Sequence, residues 1–453
     1  MNDLTIEMIE KSIDTKNIRT LRKYFEEYNS VDIAELINEL SVDKLLFIFK
    51  TVPSIWSAEV FTYLDSDVQE SLIKSFSSAE IEKITDELYS DDLVDFIEEL
   101  PANLVRKVLR SIDKETRSDV NKILNYSEDS AGSLLTIEYL ELKKSMTVAT
   151  ALERIRERGQ DVADISYAYI VDKTRSIVGY IELKTLILAS LEEKIEDLME
   201  KDIVSVHVDD DKESVVEVFK HYDMSMLPVL NKHDKMVGVI TVDDIMDVME
   251  EEATEDIQMM SGSAPLDDIY LETGVFKMVY KRIGWLLILM ISGIFTSIVI
   301  DKSDAVLATL PALAIFMPML NGTAGNAGNQ ATGLVIRGLS LNTITTKDWL
   351  RVVWKEVRVA ILLGLIMSIA CYGWMWLEKF TGIIDCKETD IFLVASLAMF
   401  IAIFIAKTIG SSLPILAKLC KLDPALMSGP LVTTIVDAST VALYYGLASL
   451  LLM

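Results

Sequence analysis

Apolar residues recur at three-and-four spacing from the start of the chain to about residue 125. They form short runs such as IAELINEL at 33–40, AEVFTYL at 58–64, AEIEKITDEL at 79–88 and DDLVDFIEELP at 91–101. Each run closes near Ser, Asp or Pro, so the pattern predicts a stack of short amphipathic helices whose repeats read as irregular. From about residue 133 to 252 the period changes. YAYIVDKTRSIVGYIELKTLI at 167–187 and MLPVLNKHDKMVGVITVDDIM at 226–246 align Val178-Gly179 with Val237-Gly238, 59 residues apart. Each copy reads as a strand, a charged turn, a second strand through the glycine and a helix start. Beyond residue 271 come long apolar runs at 283–300, 305–320 with a polar continuation, 352–377, 391–406 continuing toward 416, and 428–453. These predict five transmembrane helices.

Charge divides at the same place. The 453 residues carry 70 acidic and 43 basic side chains, a formal −27, although 51% of them are apolar. Residues 271–453 hold 14 Lys/Arg and 11 Asp/Glu, a net of +3, and residues 1–270 hold 29 and 59, a net of −30. A −30 surface repels phosphate backbones, which argues against nucleic acid as a partner, and it makes a divalent cation attractive. A merely solubilising acidic surface is the alternative at this stage. The N-terminus, MNDLTIEMIEKSID, is amphipathic and acidic, unlike a cleaved signal peptide.

Lys/Arg placement predicts orientation. Lys277, Lys281, Arg282, Arg337, Lys347, Arg351, Lys355, Arg358, Lys418 and Lys421 fall on one side of the five runs, and Lys302, Lys379 and Lys387 on the other. This puts the acidic N-terminal half in the cytoplasm and the C-terminus outside a cell membrane. Three cysteines (Cys371, Cys386, Cys420) and three histidines (His207, His221, His233) make no CxxC or HExxH pattern. With no GxxxxGK[ST] run, no GxSxG turn and no nucleophile-base set, no enzyme is expected.

Candidate chemistry lies in both halves. The segment 243–256, DDIMDVMEEEATED, has eight carboxylates and no Lys or Arg, with Asp244, Asp247, Glu251 and Glu255 at helical spacing. Like charges so placed repel, and a hard divalent cation bound through oxygen or water would neutralise them. In the apolar half, PMLNGTAGNAGNQATG at 318–333 interrupts a hydrophobic helix with Gly322, Gly325 and Gly328 and with Asn321, Asn326, Asn329 and Gln330. Close helix packing explains the glycines, and a wet cation path explains both glycines and amides. Asp437 stands alone among carboxylates in the last run, near Thr433, Thr434, Ser439 and Thr440. An intramembrane acid faces a pathway or a partner, and Lys407 is the candidate partner.

The repeat at 167–246 resembles a tandem pair of CBS modules. Gly238, Thr241 and Asp244 are spaced as in the adenosine-nucleotide site of such modules, although a helix start capped by Thr241 explains the same residues. Further motifs, YSEDSAGSLLT at 126–136, NGTAGNAGNQATGLVIRG, ITVDDIMDVMEEEATEDI and LDPALMSGPLVTTIVD, make the chain resemble the MgtE family of magnesium transporters from end to end. The resemblance implies a multidomain integral membrane protein: a cytosolic α-helical superhelix (1–130), two α/β CBS modules (131–196 and 197–253), an acidic connecting helix (243–270) and a five-helix all-α transmembrane domain (271–453). It implies a homodimer in membrane lipid with a Mg²⁺ pore lined by Asn321, Gly325, Asn326, Gly328, Asn329, Thr433 and Asp437. Carboxylates for Mg²⁺ would be Asp437 and Asp423, Asp91 or Asp92 with Asp95, Glu213, Asp223, Asp244, Asp247, Glu252, Glu255 and Asp256, with ATP as a modulator. The expected activity is Mg²⁺ import that cytosolic Mg²⁺ closes. Transport of Co²⁺ or Mn²⁺, or nucleotide sensing by a membrane-anchored CBS pair, are the alternatives.

Overall fold

In the computed structural model the first ten helices begin at Ile6, Ile18, Ser30, Val42, Ser54, Ser66, Ser78, Ser90, Ala102 and Lys114. The repeat expected to be irregular is therefore a 12-residue period. Its masking has a physical cause. Cap positions vary from Asn17 and Asp113, which accept backbone N–H bonds, to Pro53 and Pro101, and Ser57 and Gln69 replace apolar residues at buried sites. The position closing each turn is the most regular, running Tyr28, Leu40, Val52, Leu64, Phe76, Leu88, Leu100, Ile112, Leu124. Alternate helices stack, with Ser30–Ile37 on Ser54–Thr62 and that helix on Ser78–Thr85. Ties such as Ser54 Oγ to Glu87 Oε1 (2.8 Å) and Ser66 Oγ to Glu99 Oε2 (2.6 Å) join successive levels.

The described residues are 4–266, 270–271, 273–383, 388–427 and 429–453, and they fall into two compact units, Met1–Glu250 and Glu251–Met453. Cys386 and Lys387, named above, lie outside the described residues.

In the first unit, two three-stranded sheets follow the helical array. One has order β1 (Glu141–Leu142), β2 (Tyr167–Val171), β3 (Ile177–Glu182), the other β4 (Val206–His207), β5 (Met226–Leu230), β6 (Met236–Thr241). In each, the first pair is parallel and the second antiparallel, and each carries a register shift, at Ile170/Val171 and at Val229/Leu230. The 59-residue offset thus survives as backbone register, with Gly179 opposite Ile170 and Gly238 opposite Val229. Gly238 has to be glycine, because a Cβ there would stand 2.5 Å from the carbonyl oxygen of Thr136. One apolar core runs from Ile9 and Leu21 through Leu93 and Val94 to Phe219, Val229, Ile240, Ile245 and Val248. The helical array, the second sheet and the start of the helix Val242–Met260 are consequently packed as one body within this unit.

The second unit contains Val275–Lys302, the short Asp304–Thr309, Leu313–Ser340, Trp349–Thr381, Asp390–Leu419 and Gly429–Leu452. Among the described residues, four helices are long and apolar enough to cross a membrane: Val275–Lys302, Thr346–Thr381, Asp390–Leu419 and Pro424–Leu452. The run expected over 305–320 breaks at Leu310, and the 28-residue helix Leu313–Ser340 follows it. This helix runs unbroken through NGTAGNAGNQATG, so the glycines and amides that were expected to interrupt it do not. Their backbone groups stay in the helix, and its side chains carry any polar function. Asp390–Leu419 is the hub, packing on Leu313–Ser340, Trp349–Thr381 and Gly429–Leu452. Val275–Lys302 leaves Phe276, Leu286, Met290 and Phe295 exposed, apolar surface suited to lipid.

Candidate functional site

Helix Ser90–Glu98 starts with two carboxylates in its first turn, where the helix dipole favours them. Asp91 is buried at 8% exposure; its Oδ2 accepts the hydroxyl hydrogen bond of Thr136, and its Oδ1 accepts the Asp92 amide at 2.9 Å. At the start of helix Val242–Met260, Asp244 Oδ2 accepts from Thr241 Oγ1 at 2.6 Å. These two helix starts face one another electrostatically. Burial, then the charges of Asp91, Asp243 and Glu138, pushes the Asp92 carboxyl up to about 7. Asp244 rises to about 8, by burial first and then by Asp91, Asp243 and Asp95, against the bond from Thr241. Asp91 is likewise raised by burial, with Thr136 and the Asp92 amide opposing. The charges that shift this set are all carboxylates, a build that keeps protons or invites a cation.

Sequence reasoning missed Glu138 and gave Asp243 no role. Glu138 Oε2 accepts from the Ser90 hydroxyl at 2.8 Å and from its amide at 3.2 Å, and burial raises its pKa. The usable signal was the YSEDSAGSLLT motif, whose last residue, Thr136, touches Asp91 two residues before Glu138.

The other acidic candidates divide by position. Asp95 and Asp247 are exposed at the border of this cluster. Glu213 and Asp223 sit at opposite ends of helix Lys212–Tyr222, roughly 15 Å apart at about 1.5 Å per residue, too far to share an ion. Asp256 belongs to the second unit, where its Oδ2 accepts from Ser340 Oγ at 3.0 Å. Burial raises its pKa, and the nearby Asp423 raises it further against Arg337. Asp423 and Asp256 are thus brought together, with Glu252 and Glu255 half-buried on the same helix as Asp256. Among the described residues no three His, Cys, Asp or Glu side chains converge as a direct ligand set. Mg²⁺, which keeps several waters and uses one or two carboxylates, fits such a spread; Zn²⁺ does not.

The nucleotide motif is placed differently from the sequence expectation. Gly238 is closed over by Leu135 and Thr136, and Thr241 and Asp244 bond to each other. The CBS region does hold a cavity of about 470 Å³, lined by Ser166, Tyr167, Glu182, Lys184 and Ser225 among others.

In the second unit, helices Leu313–Ser340 and Gly429–Leu452 meet along a seam of small and polar residues. Asn329 Nδ2 donates to Thr433 Oγ1 at 3.1 Å, and a Cβ on Gly325 would lie 3.1 Å from Thr433 Cγ2. Asn329 also stands against Gly429. The antiparallel register Asn329/Gly429 and Gly325/Thr433 brings Asn321 and Asp437 to the next level. Both have a buried Oδ1 without a hydrogen-bond partner. Asn326 lies outside this seam and is exposed. Lys407 is not the partner of Asp437: its Nζ lies 3.3 Å from Glu356 Oε2, the two side chains being 4% and 12% exposed. Sequence reasoning counted Lys355 and Arg358 and passed over Glu356 between them.

Fold and site together define a multi-pass membrane protein in which an α-helical array and a CBS module precede a helical membrane domain. Residues 317–447 match the MgtE divalent cation transporter family, 28–129 the MgtE intracellular N domain and 195–251 the CBS domain. The magnesium transporter MgtE of Thermus thermophilus is 33% identical over 98% of both chains, and that of Bacillus subtilis 30% identical over 92% of this chain and 93% of its own. A crystal structure of the cytosolic domain of the Mg²⁺ channel MgtE in complex with ATP matches with TM-score 0.50 at 30% identity, covering 54% of this chain and 99% of that one. The chain belongs to the MgtE family of magnesium transporters.

Proposed function

We propose that this protein carries Mg²⁺ across the cell membrane into the cytoplasm, and that Mg²⁺ bound by its N-terminal carboxylates closes the path. The single observation that carries the gating is the set Asp91, Asp92 and Asp244, buried or half-buried at two helix starts with exposed Asp243 beside them. The charges that act on the three are those of other carboxylates. Without a cation these groups repel and loosen the N-terminal half; with one they hold it shut. Each ion acts only through its preference for the closed arrangement, so several such sites give a steep response. Asp256 and Asp423, Glu252 and Glu255, with Asp95, Asp247, Glu213 and Asp223 at the surface, are further places for hydrated ions.

Transport rests on Asp437 and Asn321. Their unpartnered oxygens, at one level beside Gly325, suit the waters of a hydrated cation. Oxygen donors without His or Cys favour Mg²⁺ over Co²⁺ or Mn²⁺. The N-terminal half lies in the cytoplasm and the C-terminus outside, as the Lys/Arg distribution requires. Two copies assemble, each contributing its seam to the path, and a nucleotide such as ATP bound in the cavity at Tyr167 and Lys184 modulates closure. The test is ion flux into liposomes holding the full chain, against a panel of Mg²⁺, Co²⁺ and Mn²⁺. Mg²⁺ entry that interior Mg²⁺ suppresses is expected. Flux of the other metals without Mg²⁺, or no flux, sinks the reading.

A further inference from the structure

The bundle buries a second charged device beside the seam that carries Asp437. Helices Trp349–Thr381 and Asp390–Leu419 run antiparallel in contact: Ser368 Oγ donates to the Ser396 carbonyl at 2.7 Å, Gly364 lies against the ring of Phe400, and Glu356 meets Lys407. The pair is not peripheral to the proposed path. Lys407 follows Ala406, whose carbonyl oxygen would be 3.3 Å from a Cβ on Gly328; the same Cβ would be 3.5 Å from Val436 Cγ2. Val436 precedes Asp437. The ammonium and the Asp437 carboxylate therefore stand at about the same depth, on adjacent sides of the Gly328 contact.

As mere glue this pair is a poor choice, because a buried ion pair holds helices no better than apolar side chains of similar volume. Intramembrane charges that persist mark ion pathways. A fixed positive charge near a cation site weakens how long the ion is held, and conduction needs binding that releases as well as captures. An ammonium without its counter-charge would instead exclude the ion, since Coulomb forces are weakly screened in a dry bundle.

We propose that Lys407, held in place and partly neutralised by Glu356, is a positioning pair that sets how tightly the cation is held at Asp437. It rests on the reading that Mg²⁺ passes Asp437. Lys407 limits retention, and Glu356 keeps Lys407 from repelling the ion.

The test is Mg²⁺ uptake by the full chain in liposomes, with half-saturating concentration and maximal rate read separately. Glu356→Gln should raise the half-saturating Mg²⁺ concentration severalfold and lose most uptake at low Mg²⁺. Lys407→Met should move it the other way and slow the maximal rate as the ion is retained. The double variant Glu356→Gln/Lys407→Met, neutral at both positions, should return the half-saturating concentration toward that of the unaltered chain. If both single variants only lower the maximal rate, in step with lost thermal stability, or shift half-saturation in the same direction, the pair is structural and the proposal is overturned. If a single variant fails to fold, the double variant against the unaltered chain decides: a half-saturation as high as that expected for Glu356→Gln alone overturns it. Absence of uptake by the unaltered chain would instead overturn the transport reading itself.

Discussion

Asn329 donates its side-chain N–H to the hydroxyl of Thr433, and this one contact sets the register in which Asn321 and Asp437 reach the same level of the bundle. The bond joins two helices 104 residues apart in the chain. It gives a polar seam between otherwise apolar helices, where association depends on close packing and interhelical hydrogen bonds.

Asp437→Ala and Asp437→Asn should both abolish most Mg²⁺ uptake while leaving the purified chain folded, and Asn321→Ala should reduce uptake less. Liposome flux beside a thermal melt in detergent checks this. Uptake by Asp437→Ala equal to that of the unaltered chain would remove Asp437 from the path.

Asp91→Asn and Asp244→Asn should stabilise the N-terminal half at pH 8 without Mg²⁺, because each removes a buried like charge. A gain of about 1–3 kcal/mol is the scale for relieving such a group. The same variants should blunt the protection from proteolysis that Mg²⁺ confers. Resistance at low Mg²⁺ that falls instead of rising would show that these carboxylates attract partners in the native state.

The raised carboxyls fix the sign of a pH effect. Asp92 near 7 and Asp244 near 8 hold protons in the folded chain that they would release when unfolded at ordinary carboxylate values. Their burial is therefore least costly below about pH 4, and stability falls as pH rises from there until it passes the folded values of about 7 and 8. Without Mg²⁺, protease resistance of the N-terminal half should drop between about pH 5 and 8, and added Mg²⁺ should restore it mainly at the upper end. A flat profile would mean that these acids are ionised and already compensated.

Gly410→Val should damage the membrane domain more than Gly410→Ala. A Cβ at Gly410 runs into the Gly328 carbonyl and lies 2.8 Å from Thr332 Oγ1, which bonds both Gly328 and Gly410 carbonyls at 3.0 Å. Overpacking of this kind costs about 1–3 kcal/mol, readable as a lower melting midpoint in detergent. An unchanged midpoint for both variants would show that the two helices can part without loss.

Hydrophobic period and charge, read along the chain, separated the amphipathic helices, the duplicated strand-turn-strand unit and the apolar runs, and they marked 243–256 and Asp437 as acids without local cations. These properties are local, so a linear pattern contains them. The 12-residue period was also present, most plainly at Leu40, Leu64, Leu88, Leu100 and Leu124, but variable caps hid it.

Other features exist only once distant segments meet. Thr136 and Glu138 reach helix Ser90–Glu98 from 45 to 48 residues away, and Glu356 finds Lys407 across 51. Which carboxylates are buried together, and which cation is already neutralised, depends on packing and desolvation, and no spacing rule encodes either. The chain by itself determined what kinds of helix and sheet it makes and where its charge lies. Tertiary structure decided which charges face one another out of water, because only folding brings them close enough to repel or to pair.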